Sequence, residues 1–509
     1  MNSIERWGLF EVCVEGPREG NPFTEHFIKG VFTGAQETVR VDGFYDGDGT
    51  YRVRFMPSFE GEYTCSVTAD FLPEPVRGAF TVVAPSEGNH GPVRAANNYH
   101  FAYEDGTPYY CVGTTCYVWN HQSDEMIAET LQSLKDAGFN KLRFCVLPKH
   151  FDYNLHEPRS YPYEGTAMDS SVLTADNFYD YSGDKGGNRF DKTRFNPEHF
   201  RHIERCILEL QKLDIEADLI MMHPYDRWGF SCMTHEEDAL YWNYCAARFS
   251  AFRNIWWSLA NEYDILTAKT LSDWEYYADV LVRKDPYRHL RSIHHCIYQY
   301  DYSRPWITHC SLQRPAQVTA EYRRQFGKPV VLDEMTYEGD IPWPWGNITG
   351  EEMVRRFWEV AVRGGYPGHG ETYLGHTRDM NGRQAEALWW SHGGRLYGES
   401  WKRVRFLLDV LKAVPGHGLM PEKDMFNVPM AAPEREFTDA KSYYLIYYGI
   451  MQPRDAVFEI DGTTPYRVEI IDTWNMTVED AGVHSGRTHI PMPGRQYMAL
   501  RLTREQADS

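Results

Sequence analysis

The chain lacks several features, and each absence removes a class of function. None of its ten cysteines forms a Cys-x-x-Cys pair, so zinc ribbons and thioredoxin-type redox motifs are excluded. No apolar run approaches the roughly 20 residues needed to cross a bilayer. Residues 1–10 have neither a basic start nor an apolar stretch, so no secretory leader is visible and the expected location is the cytoplasm. Basic residues are scarce: 52 Lys and Arg against 72 Asp and Glu leave a net charge of −20, which argues against nucleic acid and anionic membrane as partners. No fixed-period repeat and no low-complexity tract is present.

What remains is a soluble, multidomain composition. At 509 residues the chain exceeds one compact core, and two to four domains are expected. Cys111, Cys116, Cys145, Cys296 and Cys310 sit in or beside apolar runs, as buried free thiols do in a reducing compartment.

Residues 1–88 alternate apolar and polar with turns between, as in Thr50-Tyr51-Arg52-Val53-Arg54-Phe55 and Glu62-Tyr63-Thr64-Cys65-Ser66-Val67. This predicts an N-terminal β-sandwich, and Pro57-Ser58-Phe59-Glu60-Gly61-Glu62-Tyr63 resembles a turn of immunoglobulin-like modules. Its expected role is to buttress the rest rather than to bind sugar. The segment from Phe101 to Pro108 reads as a hairpin plugging a barrel bottom.

Over 89–414 the pattern is strand then helix, repeated, which predicts an α/β fold with eight units closed into a (β/α)8 TIM barrel. Strands are expected near Tyr110–Cys116, Lys141–Leu147, Ala217–Met222, Asn254–Ala260, Leu290–His295, Trp306–Ser311, Pro329–Asp333 and Tyr366–Tyr373. Ser123 and Ser272 are candidate helix caps. A long loop, Pro148 to Pro197, should overhang the active face. Residues 415–509 return to strands and predict a C-terminal β-sandwich.

Two of the barrel strands end in carboxylates. Asn254-Ile255-Trp256-Trp257-Ser258-Leu259-Ala260-Asn261-Glu262 and Lys328-Pro329-Val330-Val331-Leu332-Asp333-Glu334 are apolar runs that stop at an acid. An unpaired buried carboxylate costs several kcal/mol, roughly, and the C-terminal ends of barrel strands are where chemistry is done. Two carboxylates facing each other across such a pocket are the apparatus of glycoside hydrolysis. Asp333 rivals Glu334, but alternation along a strand points neighbours opposite ways, so only one of the two should face the barrel axis.

These two motifs resemble the fourth- and seventh-strand motifs of the retaining glycoside hydrolases of clan A. The whole chain resembles the apiosidase-like barrel proteins, whose barrel lies between two small β domains. The resemblance implies that Glu262 is the acid/base and Glu334 the nucleophile, and selects Glu334 over Asp333. It further implies that Asn261 contacts the sugar 2-hydroxyl and that Arg143, an arginine inside an apolar strand, contacts the nucleophile. The clan's sixth-strand tyrosine has no clear match; Tyr298 is the nearest guess.

Other candidates come from the residues themselves. His223 and His309, at strand ends, are expected to touch sugar hydroxyls. Metal-dependent barrel hydrolases usually carry His-x-His on the first strand. Here Val112-Gly113-Thr114-Thr115-Cys116 has none, so neither metal nor cofactor is expected. Trp119, Trp343 and Trp345 are candidates for stacking on sugar rings. Glu371 either grips sugar hydroxyls or pairs with an arginine as plain structure. The expectation is a metal-independent, retaining, exo-acting enzyme that removes one terminal sugar from a small oligosaccharide or glycoside. Its rivals are a non-catalytic carbohydrate-binding or scaffold barrel, and a metal-dependent barrel hydrolase. The oligomeric state is open, a homo-oligomer included.

Overall fold

The computed structural model describes residues 2–154, 156–174, 184–375, 386–433, 440–459 and 462–505. At its centre eight parallel strands follow one another around a ring: Gly113–Thr115, Lys141–Cys145, Glu216–Met222, Ile255–Ala260, Arg291–Ser292, Cys310–Gln313, Val330–Glu334 and Tyr366–His369. The first pairs with the eighth, and a bridge between His294 and Ser311 joins the fifth to the sixth, closing a TIM barrel. The strands are buried on both faces, which is why they read as unbroken apolar runs.

Local chemistry sets the helices. Ser123 caps Asp124–Ala137 by accepting from the Met126 N–H, and Gly138 ends it in the left-handed region at φ 83°. Ile127, Thr130, Leu134 and Ala137 form its buried face. The cap of Leu271–Lys284 is Thr270 rather than Ser272, because Asp273 three residues on completes a reciprocal capping box. The sixth strand begins four residues later than its apolar approach predicts. Trp306 and Ile307 pack in the core below it.

The barrel bottom is plugged as expected. Strands Val93–Ala96, His100–Tyr103 and Pro108–Tyr109 form a small sheet, and Val93, Phe101 and Tyr109 pack on Trp256, Leu290, Val331 and Tyr366. Part of the Pro148–Pro197 loop lies outside the described residues; the described part forms a hairpin of Tyr163–Thr166 with Arg189–Phe195.

The N-terminal region is a sandwich. A five-stranded sheet faces a three-stranded one, and Phe32 stacks on Phe55 at 4.5 Å between them. It is fastened to the barrel by a buried ion network. Arg248, fully buried on the helix His235–Phe249, holds Glu204 and Asp46, each at 2.7 Å, and Arg54 reaches the same Glu204 at 2.7 Å. The contact supports a buttress. Arg248→Met should cost about 1.5–3 kcal/mol: Glu204 keeps Arg54 and Asp46 keeps Arg52 and Arg201, but each buried carboxylate loses a charged hydrogen bond. Urea unfolding measures this, and a loss under about 1 kcal/mol would contradict it.

The C-terminal region pairs a six-stranded sheet with a two-stranded one, Asp455–Glu459 with Arg487–Pro491. Their shared core holds Val468, Leu500, Ala456 and Ile490. Among the described residues no helix is long and apolar enough to cross a membrane.

Candidate active site

At the C-terminal ends of the barrel strands lies a cavity of about 510 Å³, lined by both Glu262 and Glu334. Glu262 follows the fourth strand with its backbone at φ 53°, in the left-handed region that favours glycine. Such strain persists where the surroundings impose it, commonly at functional sites. Its carboxyl accepts from the Tyr225 hydroxyl and, at 3.2 Å, from the Asn261 amide. Burial first, and then the negative charge of Glu334, push its pKa up to about 7, against the opposing pull of Tyr225 and Lys149.

Glu334 does not reach the cavity by simple alternation. Val331 packs inside the barrel bottom while Val330 and Leu332 face outward, so Asp333 is the residue that points inward. There Lys141 binds Asp333 at 2.7 Å and Asp218 at 2.6 Å, and Ser311 donates to Asp333 at 2.5 Å. Glu334 enters past a register shift between the sixth and seventh strands. Alternation thus turns Asp333 inward, where a buried ion cluster consumes it, and the strand's irregular end brings Glu334 to the cavity. Arg143 donates to Glu334 at 3.0 Å, and the Tyr117 hydroxyl donates to the same oxygen.

The two carboxyls are joined by a short polar chain. Tyr117, bonded to Glu334, also reaches Asn261 at 3.2 Å, and Asn261 bonds Glu262. Lys149 sits beside this chain against aromatic rings, and among the described residues no carboxylate bonds it. Its ammonium lies 3.4 Å from the Tyr117 ring centre, 4.4 Å from Tyr225 and 4.6 Å from Trp390. Burial lowers its pKa to about 8, which leaves it cationic at neutral pH. Phe151, Tyr337, Trp345 and Trp390 complete an aromatic wall.

Of the residues expected from sequence, Glu262, Glu334, Asn261, Arg143 and Trp345 come together here. Others do not. Trp119 is fully buried in the hydrophobic core, its ring against Phe144. Trp343 is half exposed and lies outside the cavity lining. His223 is buried behind the wall, with Nε2 3.2 Å from the Leu147 carbonyl. His309 precedes the sixth strand instead of ending it, so it lies at the barrel bottom against Trp256 and Phe101. Burial pushes both histidines down to about 3, so both rings are neutral. Tyr298 is exposed and lies outside the cavity lining; its backbone is engaged at both ends, the carbonyl accepting from the Tyr263 hydroxyl and the N–H donating to Asp264 at 2.7 Å. Glu371 lies outside the cavity lining and, among the described residues, no arginine bonds it; it accepts the backbone N–H groups of Tyr397 and Gly398 at 2.5 and 2.8 Å.

Sequence reasoning missed Tyr117, Lys149, Tyr225 and Trp390. The first three lie within four residues of the ends of the first, second and third strands, a positional signal that was available.

The geometry agrees with what the chain resembles. The apiosidase-like catalytic domain family matches residues 95–404. Two domains of unknown function match the flanks, DUF5060 over residues 3–70 and DUF5605 over 429–503. A crystal structure of a provisionally assigned glycoside hydrolase from Bacteroides vulgatus ATCC 8482 shares 35% identity over 99% of this chain and 100% of that one, with a TM-score of 0.87. A family 5 glycoside hydrolase from the same organism shares the fold at 16% identity and TM-score 0.59, over 82% of this chain and 95% of that one. No curated protein matches the sequence. With more than half its length matched by one family and a relative aligned along its whole length, the chain belongs to the apiosidase-like family of glycoside hydrolases.

Proposed function

We propose that the enzyme hydrolyses glycosides by double displacement with retention of configuration, Glu262 serving as acid/base and Glu334 as nucleophile. The observation that carries this reading is that one cavity holds two carboxyls with different partners. Glu334 accepts hydrogen bonds from the Arg143 guanidinium and the Tyr117 phenol, which hold its oxygen in place for attack. Glu262 has no cation bonded to it among the described residues, and burial with the charge of Glu334 pushes its pKa up to about 7, which suits a proton donor. Asn261, between the two, is placed to bond the sugar hydroxyl next to the reacting carbon, a contact that strengthens in the transition state. Trp345 and Trp390 offer faces for the sugar ring, and Lys149 offers donors to its oxygens. The aromatic walls and modest volume of the cavity favour exo removal of a single sugar from a small glycoside. The family likeness makes apiose the first sugar to try, with arabinofuranose, galactose, xylose and glucose as alternatives.

A panel of aryl glycosides tests the activity, and the pH profile tests the roles. Glu262 carries its proton below about pH 7 and loses it above. For substrates with poor leaving groups, kcat/KM should therefore fall as pH rises through about 7, while activated aryl glycosides keep their rate there. If both classes fall together, or neither falls below pH 9, the assignment of Glu262 is wrong.

A further inference from the structure

Glu338, His369 and Glu371 converge without bonding to one another. Glu338 and Glu371 face each other across the short parallel pair Glu338–Gly339 and Glu371–Thr372, and His369 ends the eighth barrel strand. All three are at most 1% exposed. One ring nitrogen of His369 and one oxygen of each carboxyl lie within 4.8 Å of one another. Their hydrogen bonds run elsewhere. Glu338 accepts from the N–H groups of Glu399 and Ser400 at 2.7 and 2.9 Å and from the Tyr373 hydroxyl at 3.3 Å; Glu371 accepts from those of Tyr397 and Gly398. No lysine or arginine bonds either carboxyl among the described residues, although two carboxylates buried side by side call for a positive charge or a proton.

His369 supplies a second, independent observation. Its Nδ1 meets the Thr114 hydroxyl at 2.8 Å, while Nε2 is buried with no partner. The Thr114 oxygen also accepts from Trp389 Nε1 at 2.9 Å. With Nδ1–H donating to that oxygen, Nε2 keeps a bare lone pair. This is the tautomer a metal-bound histidine takes, its other nitrogen donating to an oxygen behind it.

We propose that Glu338, His369 and Glu371 bind a divalent cation of the zinc or manganese class. Bonds of about 2.0–2.2 Å to such an ion hold ligand atoms about 3–4 Å apart, a spacing compatible with this convergence. One imidazole with two carboxylates suits these ions better than calcium, which takes oxygen alone, or copper(I), which prefers sulfur. The ion would be structural. It would tie the seventh- and eighth-strand extensions to the segment 397–400 that leads into the last barrel helix. Gly370, between two of the ligands, lies against the Tyr337 ring, where a Cβ would come within 2.1 Å, so the same tie backs one wall of the cavity.

The test measures metal and melting in the wild-type chain and in His369→Ala and Glu371→Gln. Elemental analysis of wild-type protein purified without chelator should find close to one equivalent of zinc or manganese per chain. After chelator treatment, adding Zn²⁺ or Mn²⁺ alone should raise Tm by several degrees in the wild type and in neither variant. The proposal is overturned if Tm of the chelated wild type is unmoved by both ions, or if the variants respond as the wild type does. Because the wild-type melt suffices, a variant that fails to fold leaves the test intact.

Discussion

Replacement of Glu334 by alanine is expected to lower kcat by about 10⁵-fold or more on every glycoside the enzyme accepts, whatever its leaving group. The proposed route begins with attack of this carboxylate on the anomeric carbon, so no first step survives its loss. Arg143 and Tyr117 would remain bonded to each other at 3.5 Å around the space left behind. A small anion can enter that space. Azide should restore turnover of activated substrates and leave a glycosyl azide of inverted configuration, because one displacement replaces two. A residual rate within about tenfold of wild type would show that Glu334 is not the nucleophile. The same substitution carries an electrostatic corollary. The negative charge of Glu334 is the second cause of the raised Glu262 pKa, after burial, so its removal should lower that pKa.

Glu262→Ala should show a split that no loss of folding could mimic. Removing a general acid costs about 10²–10⁴-fold when the leaving group needs a proton. For glycosides with a poor leaving group, kcat should fall by that amount. For activated aryl glycosides the first step needs no acid, and the second lacks only its base. They should accumulate the glycosyl-enzyme, and azide should accelerate them with retained configuration. Equal loss on both classes, with no azide effect, would remove Glu262 from the acid/base role. The coupling of the two carboxyls fits the double duty asked of this residue. Once Glu334 is esterified its charge is gone, the pKa of Glu262 falls, and the carboxylate becomes the base that the second step requires.

The barrel and the two carboxylates were legible in the sequence for one reason. A parallel strand buried on both faces must be apolar, so an acid at its end stands out. Ala260-Asn261-Glu262 and Leu332-Asp333-Glu334 both show this. The choice between Asp333 and Glu334 was legible only through the family resemblance. Period-two reasoning fails at a strand end where the register shifts, and the inward position went to the ion cluster with Lys141. The misplaced His309 has a similar origin. Trp306 and Ile307 are apolar because they pack in the core, not because they form a strand, and the true strand starts at Cys310. Trp119 and Trp343 show that a tryptophan near a strand end carries no address of its own. The first went to the core and the second toward solvent. Tyr117, Lys149, Tyr225 and Trp390 come from loops and one irregular helical turn, Leu388–His392, where no periodicity marks the inward face. Their roles follow from distances that no one-dimensional pattern holds. The cluster of Glu338, His369 and Glu371 was hidden for the same reason, since 31 residues separate its first two members.

The most direct test is the configuration of the first sugar released. Proton NMR of an aryl glycoside that the enzyme cleaves, followed from the first minutes before mutarotation, identifies the initial anomer. Attack by Glu334 followed by water activated by Glu262 inverts the anomeric carbon twice, so the initial product should carry the anomeric configuration of the substrate. If the opposite anomer forms first, water attacks directly, and Glu334 acts as a base rather than as a nucleophile.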